Sequence, residues 1–437
     1  MNDVDNVEVL IERLRVGDFE NLEKIPDVEI AYLLPDLSDA QQDRLLISLD
    51  KERRAEILSE ADDSVQKSII DRFETAQVAE MIGELAPDDG ADILEALPDK
   101  ESREVLNQMD SASSKEMEEL LHHDPESAGG LMTPDCILLN AEYTAEEAIH
   151  AARDALDAEM VAYVYIVDSQ GRLEGVVSLR HLLMANPSAL LSDIIVRDVV
   201  SVHLDDHKSS VAELAMKYHY VALPVVDEEN RFKGIVTVDD IMDVMEEEAS
   251  EDIFRLAGTE SGSPTLESVM SRVKKRLPYL LVTLVGGGMA ALILRQFKNE
   301  IEALVMLSYF IPVVIGMAGN VGVQCSTVVV RGLATGEIIP SRFSKVFVHE
   351  VKVGLSLSFV FCLLSSLIVY FIEPSIAITV GIGMASGIIM ASTVGTAVPL
   401  FCEKMDFDPA LAAGPFVTTT NDMLGVLVYL QVAKWLI

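Results

Sequence analysis

The chain has 437 residues, enough for two or three domains, and a formal net charge of −38 at pH 7. The charge is lopsided: residues 268–437 hold 12 of the 33 basic and 9 of the 71 acidic side chains, net +3, which leaves 21 and 62 in residues 1–267, net −41. Acidity of that size repels nucleic acid and anionic lipid and excludes both as partners, leaving solubility or cation binding as its use.

The opening MNDVDNVEVL is acidic and lacks an apolar stretch, so no signal peptide is expected and residues 1–267 are expected in the cytosol. The four cysteines (Cys136, Cys325, Cys362, Cys402) are scattered without metal-ligand spacing, which argues against a disulfide framework or a zinc site. Residues 31–120 carry an ungapped 24-residue repeat: Leu33–Leu34, Ile57–Leu58 and Met81–Ile82 align, as do Leu37, Ala61 and Leu85, then Leu45–Leu46, Ile69–Ile70 and Ile93–Leu94. A weaker fourth copy follows at Val105, Leu106 and Met109. Apolar pairs at helical spacing, broken by PDLSD, EADDS and APDDG, predict stacked helix–turn–helix units. Acids recur at Asp36, Glu60 and Glu84 and at Asp39 and Asp63, either as a solvated face or as cation ligands.

From Asp135 to Asp240 short β runs alternate with helices, and YVYIVD with GRLEGVVSLRHLL is echoed by VALPVVD with NRFKGIVTVDDIM. The two copies resemble a pair of CBS domains. The second carries that family's G-x-x-T-x-x-D signature as Gly234, Thr237 and Asp240, whereas the first has Gly175 and Ser178 but His181 in place of the acid. The resemblance implies ATP or another adenine nucleotide at Thr237 and Asp240; the alternative is a purely structural pair. Next comes VDDIMDVMEEEASEDIFRLAG, residues 238–258, with Ile241, Val244, Met245, Ile253 and Leu256 on one helical face. Its acids include the like-charged i,i+4 pairs Glu247–Glu251 and Glu248–Asp252, each destabilising an isolated helix by a few tenths of a kcal/mol. Such a helix wants cations around it.

Five apolar segments follow, at about 278–296, 303–331, 353–372, 375–401 and 411–434, each near the ~20 residues of a spanning helix. Arg272, Lys274, Lys275 and Arg276 precede the first, and Arg331, Arg342, Lys345 and Lys352 lie between the second and third. The loops after the first and third carry Glu300, Glu302 and Glu373. By the positive-inside rule the basic flanks are cytosolic, and five spans put the C-terminus outside. The runs GGG (286–288) and GIGMASG (381–387) read as close helix packing. Pro312, Asn320 and Gln324 inside the second segment point to a broken helix beside water or ions. Asp422 stands near the middle of the fifth segment, where a charge costs roughly 3 kcal/mol even on the lenient insertion scale.

Taken in order, these parts resemble the MgtE family of magnesium channels over nearly the whole chain. The resemblance is carried by HDPESAGGLMTP (123–134), VTVDDIMDVMEEEASEDIF, AGNVGVQCSTVVVRGLATGEI and DPALAAGPFVTTTND. It implies a multidomain membrane protein, not an enzyme: an all-α helical-repeat N domain (1–125), α/β tandem CBS domains (126–190 and 191–240), an acidic connecting or plug helix (241–267) and a five-span α-helical pore domain (268–437) in the cell membrane. It further implies a homodimer with Asp422, Asn320, Asn421 and Gln324 at the pore, and magnesium as the ion carried. Magnesium bound among Glu60, Asp88, Asp89, Asp92, Asp205, Asp206, Asp240, Asp243, Glu248, Glu251, Asp252 and Asp408 would hold the plug shut. One departure is LDDHKSSVAE in the second CBS domain, where His207, Lys208, Ser209 and Ser210 stand at a loop expected to be acid-rich; His219 also stands where an acid is plausible. A coupled divalent-cation carrier using a protonatable Asp422, or a membrane-anchored nucleotide sensor, are the competing expectations.

Overall fold

The structure is a computed structural model that describes Leu14, Leu22 and residues 25–155, 160–260, 268–298, 305–405 and 407–436. Glu300, Glu302 and the end of the connecting segment (261–267) lie outside the described residues. The chain divides into two compact units, Met1–Met245 and Glu246–Ile437.

In the first unit each 24-residue repeat forms two short helices: α1 (Asp27–Leu33), α2 (Asp39–Ser48), α3 (Lys51–Ser59), α4 (Asp63–Ile70), α5 (Thr75–Ile82), α6 (Pro87–Glu95), α7 (Asp99–Leu106) and α8 (Ser111–Leu120). Helices two apart in sequence stack, α1 on α3 on α5 on α7. The repeated pairs meet inside: Leu33, Leu34, Ile57, Leu58, Met81 and Ile82 are all at most 2% exposed. A core of that kind needs the neighbouring repeat to cover each apolar face. Several acids of the repeat start helices or hold ion pairs. Asp50 and Asp62 accept the backbone N–H of Arg53 (2.9 Å) and Ser64 (3.2 Å), as N-caps do. Glu84 pairs with Lys51, and Asp39 lies 3.4 Å from Arg72.

Two three-stranded sheets follow. In the first, β1 (Cys136–Leu139) runs parallel to β2 (Met160–Val167), which is antiparallel to β3 (Leu173–Ser178). The second repeats this with β4 (Val202–His203), β5 (Ala222–Val226) and β6 (Phe232–Thr237). Helices α9 (Ala145–Asp154), α10 (Leu179–Met184) and α11 (Leu191–Ile194) belong to the first module, and α12 (Lys208–Tyr218) to the second. The sequence echo extends to the hairpin turns. Asp168 and Asp227 each accept the backbone N–H four residues on, from Arg172 (2.9 Å) and Arg231 (2.8 Å). Gly171 and Asn230 take the matching left-handed position, at φ 77° and 61°.

Packing crosses the 190/191 division that the sequence suggests. Leu191, Ile194 and Ile195 pack in the first module, where Val196 bridges Val176. Ala128, Leu131 and Met132 fill the core of the second, where Thr133 bridges Ile235. Each module is completed by the segment that precedes its partner's side of the pair. The boundary at 240/241 also falls inside one unbroken helix, α13 (Val238–Leu256), whose Ile241 and Val244 belong to the second module's core.

The second unit holds α14 (Val269–Gln296), α15 (Val305–Ala334), α16 (Phe343–Ile372), α17 (Ala377–Lys404), the short α18 (Pro409–Ala413) and α19 (Pro415–Leu436). Four of these helices are long and apolar enough to cross a membrane among the described residues; α19 is not one of them. Its run Thr418-Thr419-Thr420-Asn421-Asp422 lowers its hydropathy, yet it packs among the rest, with Tyr429 donating to the Leu307 carbonyl at 3.0 Å. The break expected at Pro312 is absent: α15 is one helix of 30 residues. Packing of its Ile311, Val314 and Ala318 against the core holds it where a proline removes one backbone bond. Of the GGG run only Gly286 is a packing site, facing Thr419; Gly287 and Gly288 face open space.

Candidate ion-binding sites

Asp422 lies one helical turn after Thr418 on α19, and α15 turns Ile311, Ile315, Gly319 and Val323 toward it at i,i+4 spacing with Pro312, Gly316 and Asn320 alongside. Together they line an open groove of about 550 Å³. A Cβ on Gly319 would lie 3.6 Å from Asp422 Oδ1, so the carboxylate faces the bare backbone of that residue. Asp422 is half-buried and has no hydrogen bond or ion pair among the described residues. A carboxylate without a protein partner in a groove between apolar helices makes this a candidate place for a cation from solution.

The other expected groove residues separate. Asn320 lines it. Asn421 does not: at 1% exposure it points into the helix bundle, where a Cβ on Gly322 would overlap its amide, and both amide atoms lack a partner. Gln324 is exposed, a turn beyond Asn320 and off the groove. Successive helical residues point about 100° apart, and on α19 that turn carries Asn421 into the bundle while Asp422 faces the groove. Thr418 was missed by the sequence reading, although its i−4 spacing from Asp422 was there to be read.

The expected sensing acids fall into two neighbourhoods. In the first unit Glu60, Asp89, Asp92, Asp240 and Asp243 repel one another, with Glu56 and Glu95 added. Asp89 keeps solvent access, but the surrounding chain and then Asp240, Glu56 and Glu60 push its carboxyl up to about 6. Asp92 is pushed up to about 7 by the same crowding and by Asp89, Glu95 and Asp240, against the pull of Lys208. Asp240 is raised to about 6 by burial, although Thr237 donates to its Oδ2 through both N (3.2 Å) and Oγ1 (2.5 Å). Thr237 is fully buried, so this Thr–Asp pair is built into the start of α13. Asp205 and Asp206 are not among the acids acting on this cluster. Asp88 is buried in the first turn of α6, Asp205 is exposed, and Asp206 accepts the His203 N–H at 2.7 Å.

In the second unit Glu251 and Asp408 share one guanidinium, Arg255, at 2.5 and 2.7 Å. Asp408 also caps α18 by accepting the Ala410 N–H at 2.7 Å. Asp252, beside them, is pushed up to about 6 by burial and then by Asp408 and Glu248. A Cβ on Gly414 would lie 2.6 Å from the Leu256 carbonyl and 2.9 Å from that of Arg255, so the end of α13 abuts the start of α19. Among the described residues no group of three or more His, Cys, Asp or Glu is drawn together tightly enough to hold one metal ion. These are crowded anions rather than preformed cages, as suits an ion that keeps much of its water.

Comparison with known proteins supplies the family. The divalent cation transporter domain of MgtE matches residues 311–432, its intracellular N domain residues 25–126, and CBS domains residues 128–188 and 191–247. A magnesium transporter MgtE of Thermus thermophilus is 34% identical over 98% of this chain and 98% of its own length. The chain belongs to the MgtE family. A second MgtE, from Enterococcus faecalis, is 35% identical over 74% of this chain and 72% of its own. Among solved structures, the cytosolic domain of an MgtE magnesium channel in complex with ATP superposes with TM-score 0.51 at 36% identity, covering 54% of this chain and 97% of that one. MgtE proteins are transporters, not enzymes, and this chain is a multidomain membrane protein of that kind.

Proposed function

We propose that the chain is a magnesium-selective channel for Mg2+ entry, closed by feedback when cytosolic magnesium binds between acidic cytosolic domains and the connecting helix. The observation that carries the reading is Asp422, an unpartnered carboxylate in a groove between α15 and α19. In a homodimer two such grooves facing across the axis would place two carboxylates, with Asn320 and Thr418 nearby, around one hydrated ion. Magnesium suits this because it retains several waters and takes few carboxylates. The named activity of the relatives supports the ion, and the basic flanks of α14 and α16 support cytosolic N-terminal domains with the C-terminus outside.

Feedback follows from charge. Carboxylates already crowded enough to hold their protons toward neutral pH repel more when ionised, and a divalent cation relieves that by binding the packed state preferentially. The ATP-bound relative supports an adenine nucleotide at Thr237 and Asp240. Asp422→Ala is expected to reduce magnesium flux into vesicles at least about tenfold, or more than ~1.4 kcal/mol of barrier. Unchanged flux removes the pore assignment, and strictly stoichiometric coupling to protons or sodium replaces the channel by a carrier.

A further inference from the structure

Lys208 is the first residue of α12 and is 8% exposed. Both features are unusual for a lysine. A cation in the first helical turn opposes the helix dipole, and a buried ammonium gives up its hydration. Only nearby anions offset this. Its Nζ lies 2.8 Å from Glu126 Oε1, and its charge acts on Asp92 of the helical repeats. Glu95 in turn faces Asp124 and Glu126. The backbone closes round the same place: Lys208 N donates to Glu126 O (2.8 Å), Ala128 N to Asp206 O (2.7 Å) and Gly129 N to Leu204 O (2.9 Å).

We propose that Lys208 is a built-in counter-ion at the junction of the helical repeats with the second CBS module, keeping that junction packed without a divalent cation. It takes, within the chain, the part a bound magnesium plays between facing carboxylates. The proposal rests on the feedback reading and narrows it: magnesium dependence is placed on Glu60, Asp89, Asp240 and Asp243 rather than on Glu126 and Asp92, the carboxylates beside Lys208. The tetrad His207, Lys208, Ser209, Ser210 thereby has a use, since the two serines and the histidine add no competing negative charge.

Hydrogen exchange on the full-length protein in detergent tests this at the amides of Ala128, Gly129 and Lys208, whose bonds tie residues 126–129 to the second CBS module beside Lys208, where Ala91 and Leu120 of the helical repeats pack into the same core. Wild type should exchange there at rates within about threefold of each other in chelator and in ~10 mM magnesium. Lys208→Met should exchange at least about tenfold faster in chelator and recover in magnesium, whereas Lys208→Arg should behave as wild type. The proposal is overturned if wild type already loses protection in chelator, or if Lys208→Met stays protected there. It is equally overturned if Lys208→Met stays unprotected in magnesium, because the lysine is then needed for folding rather than as a counter-ion. Exchange at these amides requires no conduction, so it can fail while the Asp422 flux result stands, and the reverse.

Discussion

Asn421 and Asp422 are adjacent, yet one amide is sealed in the bundle and the other residue's carboxylate opens on a groove. The seal depends on Gly322, which has no Cβ to meet the Asn421 amide. Gly322→Ala is expected to overpack this contact and destabilise the protein by about 1–3 kcal/mol, read as a lowered melting temperature in detergent. Gly287→Ala, on the same kind of helix but with nothing within 4 Å, is the control and should not lower it. Equal melting of the two variants would mean that the Asn421 contact is looser than described. The sequence placed both polar residues inside a span, but which of them reaches the groove is a matter of helical phase against neighbours that lie more than 90 residues away in the chain.

At the scale of elements, α13 and α19 meet end to end within the second unit. The last carbonyls of α13 rest on Gly414, and Arg255 ties Glu251 to Asp408 in the loop that starts the α19 region. The helix that carries the acids therefore touches the base of the helix that carries Asp422. Replacing Glu248, Glu251 and Asp252 together with Ala is expected to leave current or flux high at millimolar cytosolic magnesium. Closure at the wild-type magnesium concentration would count against α13 as the plug. The acids of this helix and their i,i+4 pairs are plain in the sequence; Arg255 is not, because one cation among so many acids gives no periodic signal.

Across the whole molecule the dominant quantity is the net −41 of residues 1–267. Protons and magnesium both reduce it, and the direction of the proton effect can be worked out. In the packed first unit Asp89, Asp92 and Asp240 are raised to about 6, 7 and 6 from the ordinary aspartate value, so the packed form binds protons more readily than the separated one. Its stability must then rise as pH falls through about 7 to 6 and be lost as these groups ionise. The groups facing them are Glu56, Glu60, Glu95, Asp239 and Asp243, with Lys208 as the opposing cation. In chelator, the first unit of the full-length protein should resist protease better at about pH 5.5 than at about pH 7.5, and magnesium should shrink the difference. Digestion that does not change with pH would show that these carboxylates do not limit packing.

The sequence by itself determined the order of parts, the 24-residue period with its buried pairs, the doubled β-hairpin modules and the long apolar helices. Each of those depends on local periodicity, which side-chain alternation along a helix or strand writes directly into the chain. Only the tertiary structure decided that residues 126–133 complete the second CBS module, that α15 stays whole through Pro312, and that Asn320, but not Asn421 or Gln324, stands with Asp422. It also decided that Lys208 lies buried beside Glu126. These are meetings of residues distant in the chain, set by packing and by the pairing of charges, and no local pattern records them.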